Sequence, residues 1–300
     1  MKHLKVTTSE IARICNVSQG TVDRALNNRP DIKAETKQKI LEVAKKYGYR
    51  DYVSTYPDKI LGQIGIIVFN LNNEYFSRLI TEVEYALRPL GLGTLVMMSH
   101  YDKEYEIECI RNMYNMGVKG IILCSVNGGE DFKNYLELFD MPIVGVGNRV
   151  EGIPYVGIDD FCAMKNMTEH VLKSNPKKII YFSPALNYPD AYAQRQRYEG
   201  FLSAVGSKEY LVVTDIDDIK ETYDPNTAIV CSTDYYALKA YFKSPKTTIT
   251  GFDNIDAIDK YRIPITSVGY SMAEIARASV DLIRNPKKQD LIIKHYIYER

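Results

Sequence analysis

From residue 60 onward the chain alternates short apolar runs with amphipathic stretches, and this alternation limits the fold more than any other feature. The run at 64–69 is continuously apolar, as strands covered on both faces of a parallel sheet are. Two strand–helix–strand series follow one another, with the break near Asp159 and Asp160. The pattern predicts an α/β body of two parallel-sheet lobes. Ligands of such sheets bind beyond the carboxyl ends of the strands, so we expect a binding cleft between the lobes.

The same pattern gives the individual elements of the body. In the first lobe it predicts strands at 64–69, 92–98, 120–124, 142–146 and 154–158, with helices at 76–90 and 104–116. In the second lobe it predicts strands at 178–182, 211–214, 227–231 and 247–252, with helices at 161–174, 194–205 and 235–242. Parallel strands need such crossover connections, which are usually helical.

The composition excludes several other classes of protein. Hydrophobic residues make up 45% of the chain and charged residues 25%, which are ordinary values for a globular protein. No apolar run approaches the roughly 18 residues that a membrane helix needs, and the N-terminus turns polar too early for a secretory signal peptide. The five cysteines lie far apart and form no Cys-x-x-Cys pair. We therefore expect a cytoplasmic protein with reduced thiols and no contact with a membrane.

The neutral net charge conceals an asymmetry between the two ends of the chain. Residues 1–50 hold eleven Lys and Arg against five Asp and Glu, a net charge of +6, so the remaining 250 residues carry −6. A small basic module on a larger acidic body is typical of a protein that binds a polyanion at one end. A solvated, lysine-rich helix would give the same charge, and charge alone does not separate the two interpretations.

Three short helices can be read within residues 1–50, at 10–15, 19–26 and 34–47. The hydroxyls of Thr7, Thr8 and Ser9 offer an N-cap to the first helix. Asn16 suits the left-handed residue at its end, and Ser18 can cap the second helix. Only three to four residues separate the first two helices, and this spacing is the signature of a helix-turn-helix.

A helix-turn-helix places the start of its second helix in the major groove of DNA. Gln19 and Arg24 can make paired hydrogen bonds to adenine and to guanine respectively. Short polar side chains suited to phosphate oxygens surround them: Thr7, Ser18, Thr21 and Asn27. Plain helix capping is the alternative role of Thr7 and Ser18, and a surface salt bridge is that of Arg24.

The stretch VTTSEIARICNVSQGTVDRALNNRP at 6–30 resembles the headpiece of the LacI/GalR (lac-repressor) family. The resemblance continues through ETKQKIL at 35–41 and YGY at 47–49 without a gap. It places Gln19, Gly20 and Arg24 at the base-reading positions. Gly20 has no side chain, so base reading is expected to rest on the other two. The resemblance implies a transcriptional repressor of carbohydrate-related genes that binds a near-palindromic, double-stranded operator as a homodimer.

The linker at 51–60 departs from this family. Its members usually carry a Pro-Asn pair and then a small helix whose leucine wedges into the minor groove. Here Pro57 falls inside the expected helix and Asp58 occupies the place of the leucine. A proline breaks a helix from within, and a carboxylate cannot wedge between stacked bases. We expect no hinge insertion and no strong bending of the operator.

The body resembles the same family, whose members have a periplasmic-binding-protein type I (sugar-binding-protein) fold. The matching motifs are IGIIV at 64–68, GVKGIIL at 117–123, PIV at 142–144, RYEGF at 197–201, GFDN at 251–254 and ITSV at 265–268. Residues 293–300 match the terminal strand of that fold. The usual helix before Thr227 is missing or reduced, so we expect a trimmed second lobe.

The resemblance also implies an effector pocket. It would be formed by six residues: Tyr75, Phe76, Asn148, Arg197, Asp234 and Asp253. Carboxylates, an amide and a guanidinium suit the hydroxyls of a monosaccharide or its derivative, and aromatic faces can cover its C–H patches. Other roles are open: Tyr75 and Phe76 as core at a helix entry, Arg197 as an interlobe salt bridge, and Asp253 as a cap.

No motif points to catalysis, a cofactor or a metal. The chain has no phosphate-binding loop and no nucleophile elbow, and its four histidines lack metal-ligand spacing. The favoured interpretation is a dimeric regulator with a headpiece at 1–50, a linker at 51–60, and an effector-binding and dimerisation domain at 61–300. The alternative is a cytoplasmic sugar-binding sensor whose headpiece contacts a protein partner.

Overall fold

The computed structural model describes residues 7–26, 32–46, 62–187, 191–286 and 289–300. The chain divides into two compact units, one formed by residues 1–61 with 88–91 and the other by 62–87 with 92–300. We call residues 1–50 of the first unit the headpiece and residues 62–300 the body. The predicted linker, with Pro57 and Asp58, lies outside the described residues. Within the described ranges, no helix has both the length and the apolar surface needed to span a bilayer.

The headpiece contains three helices, α1 at Thr8–Cys15, α2 at Gln19–Leu26 and α3 at Ala34–Lys46. Their shared core is apolar and closed: Ile11, Ala12, Cys15, Val22, Ala25, Ile40 and Ala44 are buried. Asn16 adopts the left-handed conformation (φ 58°) that ends α1 and starts the turn. The predicted helix-turn-helix is confirmed, with its turn residue in the predicted role.

The first lobe of the body is a six-stranded parallel sheet. Its strands are β1 (Gly62–Val68), β2 (Leu92–Met98), β3 (Ile121–Leu123), β4 (Ile143–Val146), β5 (Tyr155–Gly157) and β11 (Leu291–Ile292). They lie in the order β11-β5-β4-β3-β1-β2. Four helices belong to this lobe: α4 (Glu74–Leu87), α5 (Lys103–Asn115), α6 (Glu130–Leu136) and α11 (Met272–Arg284).

The second lobe repeats this plan. Its strands are β6 (Lys178–Phe182), β7 (Tyr210–Val213), β8 (Thr227–Cys231), β9 (Thr248–Phe252), β10 (Thr266–Tyr270) and β12 (His295–Tyr298). They lie in the order β12-β10-β9-β8-β6-β7, and only β12 runs antiparallel to its neighbour. The helices are α7 (Asp160–Leu172), α8 (Tyr192–Val205), α9 (Asp234–Lys243) and α10 (Asp256–Lys260).

The chain passes between the lobes three times: after β5, after β10 and after β11. The second passage carries α11 back to the first lobe, where it packs on α4, β4 and β5. Each lobe is therefore completed by residues distant in sequence. The carboxyl ends of central strands from both sheets border one cleft, as open parallel sheets favour.

The predicted fold class is confirmed, and so is the trimming of the second lobe. The helix that the family usually has between β7 and β8 was expected to be missing or reduced. The chain forms a 3-10 turn there, at Ile216–Asp218. The helix predicted at 76–90 ends at Leu87 and continues as a 3-10 turn at Arg88–Leu90. Five elements have no counterpart among the predicted ones: α6, α10, α11, β10 and β11.

Candidate functional site

The headpiece presents the start of α2 to solvent. Gln19, Gly20 and Arg24 are exposed on this helix, and Thr21 is half-buried. A Cβ placed on Gly20 would lie 3.9 Å from the nearest guanidinium nitrogen of Arg24, so the surface there is open. Asn27 falls outside the described residues. The structure therefore brings the two predicted base-reading side chains onto one exposed helix.

Two of the predicted phosphate-binding hydroxyls act as caps. The Thr7 hydroxyl accepts a hydrogen bond from the Glu10 amide at 3.3 Å, while Glu10 accepts one from the Thr7 amide at 2.7 Å. These reciprocal bonds form a capping box. Ser18 Oγ accepts a hydrogen bond from the Thr21 amide at 3.1 Å and lies 2.8 Å from the Thr21 hydroxyl. Thr7 and Ser18 therefore each fix the start of their own helix.

The body contains a cavity of about 330 Å³ between its two lobes. Five of the six predicted effector residues line it: Tyr75, Phe76, Asn148, Arg197 and Asp253. Aromatic and amide side chains that the sequence analysis did not single out also line it: Phe69, Asn70, Asn72, Asn73, Tyr101, Gln194, Tyr235 and Tyr236. Cavities of this size and character hold small organic ligands.

Arg197 is the central charged group of this cavity, and it is only 7% exposed. Its Nε donates to Asp160 Oδ1 at 2.8 Å and one terminal nitrogen donates to the Ser232 carbonyl at 2.7 Å. The other terminal nitrogen lies 3.6 Å from Asp253 Oδ1. The guanidinium also stacks 3.6 Å from the centroid of the Phe252 ring. A single positive charge is thus shared between two carboxylates.

Burial dominates the electrostatics of this cluster. It raises the pKa of Asp160 to about 6, although the Arg197 charge and its hydrogen bond oppose that rise. Burial also raises the pKa of Asp253 against the opposing effects of Arg197 and of a hydrogen bond from Tyr270. Burial alone would lower the pKa of Arg197, but Asp160 and Asp253 outweigh it and raise that pKa. The cluster holds its charges because they are paired.

Asn148 joins the two lobes at one edge of the cavity. Its Nδ2 donates to the Ser125 carbonyl at 2.9 Å in the first lobe. Its Oδ1 accepts a hydrogen bond at 3.2 Å from the Ala193 amide, which belongs to α8 in the second lobe. One amide side chain therefore satisfies backbone groups on both sides of the cleft, and it is not free to move with one lobe alone.

A buried glutamate fixes the loop that carries Ser125. Glu106 accepts hydrogen bonds from Ser125 Oγ at 2.5 Å, from the Val126 amide at 2.8 Å and from Asn127 Nδ2 at 3.0 Å. Burial raises the pKa of Glu106, and these three donors oppose the rise. Because Val126 lines the cavity, Glu106 shapes the cavity wall without facing it.

A second contact between the lobes lies next to Asp253. Arg78 of α4 donates to the Asn254 carbonyl at 2.8 Å and to the Asp253 carbonyl at 3.3 Å. Glu74, one turn earlier, accepts a hydrogen bond from the Asp256 amide at 2.6 Å. Asp253 itself has a φ of 102°, which side chains rarely adopt. We call these contacts of Arg78 and Glu74 the clamp. The clamp holds the strained backbone of Asp253 in a position from which the Asp253 carboxylate reaches Arg197.

The aromatic wall predicted from Tyr75 and Phe76 lies at the start of α4. Their rings meet edge to face with centroids 5.1 Å apart, and Phe69 packs on Phe76 at 5.2 Å. Phe76 is only 6% exposed, so it belongs to the core of the helix entry and lines the cavity as well. Tyr75 is half-buried and lines the cavity, so both residues lie in the predicted wall and their contact with an effector stays a prediction.

Asp234 does not line the cavity. Its side chain is fully buried, with Oδ1 accepting from Ser267 Oγ at 2.7 Å and Oδ2 accepting from the Ile255 amide at 2.9 Å. Its neighbour Thr233 lines the cavity instead and caps α9. Burial raises the pKa of Asp234 to about 8, with the nearby Asp253 charge adding to the rise. The structure therefore places Asp234 behind the cavity, as the anchor of the loop after β9.

Replacing Asp234 with asparagine is expected to change how stability depends on pH. The folded-state pKa lies above the unfolded-state value, so the neutral carboxyl stabilises the fold at low pH and this contribution is lost as the pH rises towards 8. Asparagine cannot ionise. As the pH rises from 6 to 8, the free energy of unfolding of Asp234→Asn should therefore increase relative to that of the wild type, by up to about 1.4 kcal/mol per pH unit.

Urea unfolding at pH 6, 7 and 8 measures this difference. The exposed Asp218 provides the control, because Asp218→Asn removes one carboxylate from the 3-10 turn without removing a buried group. A difference between Asp234→Asn and wild type that stayed constant over this pH range would contradict the assignment.

In the described ranges no group of three or more His, Cys, Asp or Glu side chains could hold a metal ion. The cysteines are free thiols, four of them buried and Cys162 half-buried.

Three of the cleft residues that were not predicted could have been recognised from their position in the sequence. Asn70, Asn72 and Asn73 directly follow β1, where ligand-binding side chains of parallel sheets gather.

A helix-turn-helix unit joined to a two-lobed α/β body with a cleft defines a class of transcriptional regulators. Comparison with known families agrees. The family described as "Periplasmic binding proteins and sugar binding domain of LacI family" matches residues 61–261, and "Bacterial regulatory proteins, lacI family" matches residues 7–51. The chain belongs to the LacI family of bacterial transcriptional regulators.

Individual relatives extend over most of the chain. Catabolite control protein A of Priestia megaterium is 26% identical over 93% of this chain and 92% of its own length. A LacI-type regulator from Alkaliphilus metalliredigens, complexed with D-xylulofuranose, has a TM-score of 0.67 at 20% identity and covers 80% of this chain and 98% of its own. The lac repressor dimer bound to operator has a TM-score of 0.68 at 16% identity, covering 99% and 98%. The two structural likenesses concern the fold.

Proposed function

We propose that this chain represses carbohydrate-related genes by binding a near-palindromic DNA operator as a homodimer, under the control of a small polyhydroxy effector. The observation that carries this proposal is the exposed surface of α2, where Gln19 begins the helix, Arg24 lies in its last turn, and both side chains are exposed among the described residues. Arginine and glutamine are the side chains best suited to paired hydrogen bonds with guanine and adenine.

The dimer follows from the size of the headpiece. One three-helix unit makes too few contacts for tight specific binding, so two copies are needed to read one operator. The lac repressor relative is a dimer on its operator. Residues 1–50 act as the DNA-binding part, 51–60 as a linker without hinge insertion, and 61–300 as the effector-binding and dimerisation part. The protein works in the cytoplasm, where its DNA lies, and acts by binding and not by catalysis.

The effector is a monosaccharide or a derivative of one. The cavity offers amides from Asn72 and Asn148 as paired donors and acceptors, and the aromatic rings of Tyr75 and Phe69 as flat covers. The Arg197 guanidinium is already engaged by the two carboxylates of Asp160 and Asp253, so we expect the cavity to suit hydroxyl groups and not an anion. The relative from Alkaliphilus metalliredigens binds D-xylulofuranose, a polyol of this kind.

The effector changes DNA binding by favouring one arrangement of the lobes. A ligand that touches Asp253 in the second lobe and Tyr75 in the first binds the closed cleft better than an open one. This difference in affinity between two states is the coupling free energy, and it acts equally on effector and operator.

Selection of bound duplexes from a random DNA pool tests the DNA-binding part. The wild type should enrich a near-palindrome, with an affinity that falls steeply as salt rises. Arg24→Ala should lose the preference for guanine at one symmetric pair of positions, by about 1–3 kcal/mol. Arg13→Ala is the matched control, because it removes an equally exposed positive charge from α1 and should leave the base preferences unchanged.

A repeat of the selection with mixed monosaccharides tests the effector part. Asp253→Asn should keep the operator but lose the response to sugar, whereas Asp218→Asn should keep both. Absence of any enriched sequence, with DNA binding that is indifferent to salt, would refute the regulator proposal. It would favour a sugar-binding sensor that acts through a protein partner.

A further inference from the structure

Gln19 does not stand alone on the exposed start of α2. Its Nε2 donates to the Thr8 hydroxyl at 2.9 Å, and its Oε1 accepts a hydrogen bond from the Ser9 hydroxyl at 3.3 Å. Thr8 and Ser9 are the first two residues of α1. Two neighbouring hydroxyls on one helix therefore hold both ends of the amide on the next helix.

These two bonds use half of the hydrogen-bonding capacity of the Gln19 side chain. A primary amide carries two N–H donors and a carbonyl oxygen with two lone pairs. The Thr8 bond takes one N–H, and the Ser9 bond takes one lone pair, so one donor and one acceptor remain. Because either hydroxyl can donate or accept, rotating the amide by 180° leaves the same remainder.

Adenine and guanine differ in what they present to such an amide. In the major groove adenine offers one acceptor, N7, and one donor, the N6 amino group. Guanine offers two acceptors, N7 and O6. A glutamine with one donor and one acceptor left matches adenine, whereas pairing with both guanine acceptors needs the N–H that Thr8 already holds.

We propose that Thr8 and Ser9 are positioning residues that restrict Gln19 to adenine. This inference rests on the proposed binding of operator DNA, and it adds the two residues that make Gln19 select adenine over guanine and the reason for that selection. Neither hydroxyl needs to touch a base for this effect. Loss of the Thr8 hydroxyl frees the second N–H and lets Gln19 accept guanine.

The capping of α1 does not depend on Thr8. The capping box is formed by Thr7 and Glu10, and the buried face of the helix is formed by Ile11, Ala12 and Cys15. Thr8→Val keeps the branched shape and removes only the hydroxyl. The headpiece is therefore expected to fold unchanged in this variant, with the same thermal midpoint and the same affinity for non-specific DNA.

The experiment compares operator selection by the full-length wild type with that by Gln19→Ala, Thr8→Val and Thr8→Ser. The position read by Gln19 is the one whose preference disappears in Gln19→Ala. At that position the wild type should favour adenine over guanine. Thr8→Val should lower the adenine-to-guanine ratio about three- to tenfold, the value of one exposed hydrogen bond. Thr8→Ser, which keeps the hydroxyl, should retain the wild-type ratio.

The remaining outcomes distinguish a failure of this inference from a failure of the proposed function. An unchanged ratio in Thr8→Val, a wild-type preference for guanine, or no affected position in Gln19→Ala would overturn the inference while the operator itself remained. An equal fall in the ratio for Thr8→Ser would show that the hydroxyl is not the cause. Failure of all four proteins to enrich any sequence would remove the regulator proposal and this inference together.

Discussion

Replacing Arg197 with methionine is expected to lower the free energy of unfolding of the body by about 3–5 kcal/mol at pH 7. The variant leaves Asp160 and Asp253 buried without the guanidinium that pairs with both of them, and it leaves the Ser232 carbonyl without its donor. Methionine fills most of the volume, so the loss comes from the uncompensated carboxylates and not from a cavity. Urea unfolding followed by circular dichroism measures it.

The loss should depend on pH in a defined direction. Burial already raises the pKa of Asp160 to about 6 with Arg197 present, and removing the guanidinium raises it further. A neutral carboxyl needs no counter-charge, so the penalty in Arg197→Met should shrink between pH 7 and pH 5.

Two further variants separate the charge effect from other causes. Arg195→Met alters an exposed arginine on the same helix and should change stability by no more than about 0.5 kcal/mol. Adding Asp160→Asn to Arg197→Met should recover part of the loss, because it removes one of the two stranded carboxylates. An Arg197→Met protein as stable as Arg195→Met would mean that the buried ion cluster is absent in solution.

The three helices described in the headpiece and the turn between the first two could be predicted from the sequence, because their start and stop signals are local. The cap at Thr7, the left-handed Asn16 and the cap at Ser18 lie within twelve residues, and each has a residue type that its backbone position favours. The partners of the Gln19 amide could not be predicted, since they depend on how closely α1 and α2 pack.

The strands and the position of the cleft were also predictable, whereas the direction of individual side chains was not. Thr233 and Asp234 are neighbours at the start of α9, yet the first lines the cavity and the second points into the core. The resemblance identified the correct strand end, but it chose Asp234 for the pocket, whereas Thr233 is the residue that faces the cavity at the start of α9.

Contacts between the lobes had no signal in the sequence. Arg78 bonds to a carbonyl 176 positions further along the chain. The periodicity of α11 is visible, because Met272, Ile275, Ala276 and Ser279 are buried at helical spacing. Its position in the first lobe is not visible, since it depends on the second passage of the chain between the lobes.

The cavity and the interlobe contacts share the same elements. Residues of α4 contribute Tyr75 to the cavity and Arg78 to the clamp, and the loop after β9 contributes the Asp253 carboxylate to the cavity and its carbonyl to the clamp. A ligand in the cavity therefore acts on the groups that hold the lobes together. We therefore expect ligand binding in the cavity to be coupled directly to the relative position of the two lobes.

Gly200 should be the least replaceable small residue of the body. It lies where α8 crosses α7, and a Cβ at this position would overlap the carbonyl oxygen of Phe161 and lie 3.1 Å from the Lys165 amide nitrogen. Both obstacles are backbone atoms of a packed helix, so no side chain can move aside. Gly200→Ala should lower the free energy of unfolding by about 3 kcal/mol, in the upper range for overpacking.

Replacing glycine with alanine in the headpiece should instead raise the free energy of unfolding. A Cβ on Gly20 of α2 meets only the ends of the Arg24 and Ser18 side chains, each at 3.9 Å. Alanine is the better helix former by about 0.8–1.0 kcal/mol, so Gly20→Ala should stabilise the headpiece. Thermal unfolding of the body measures the effect of Gly200→Ala, and thermal unfolding of the headpiece measures that of Gly20→Ala, each against the wild type. A stabilised Gly200→Ala protein would contradict the close crossing of α7 and α8, because helix propensity would then outweigh a contact too short to exist.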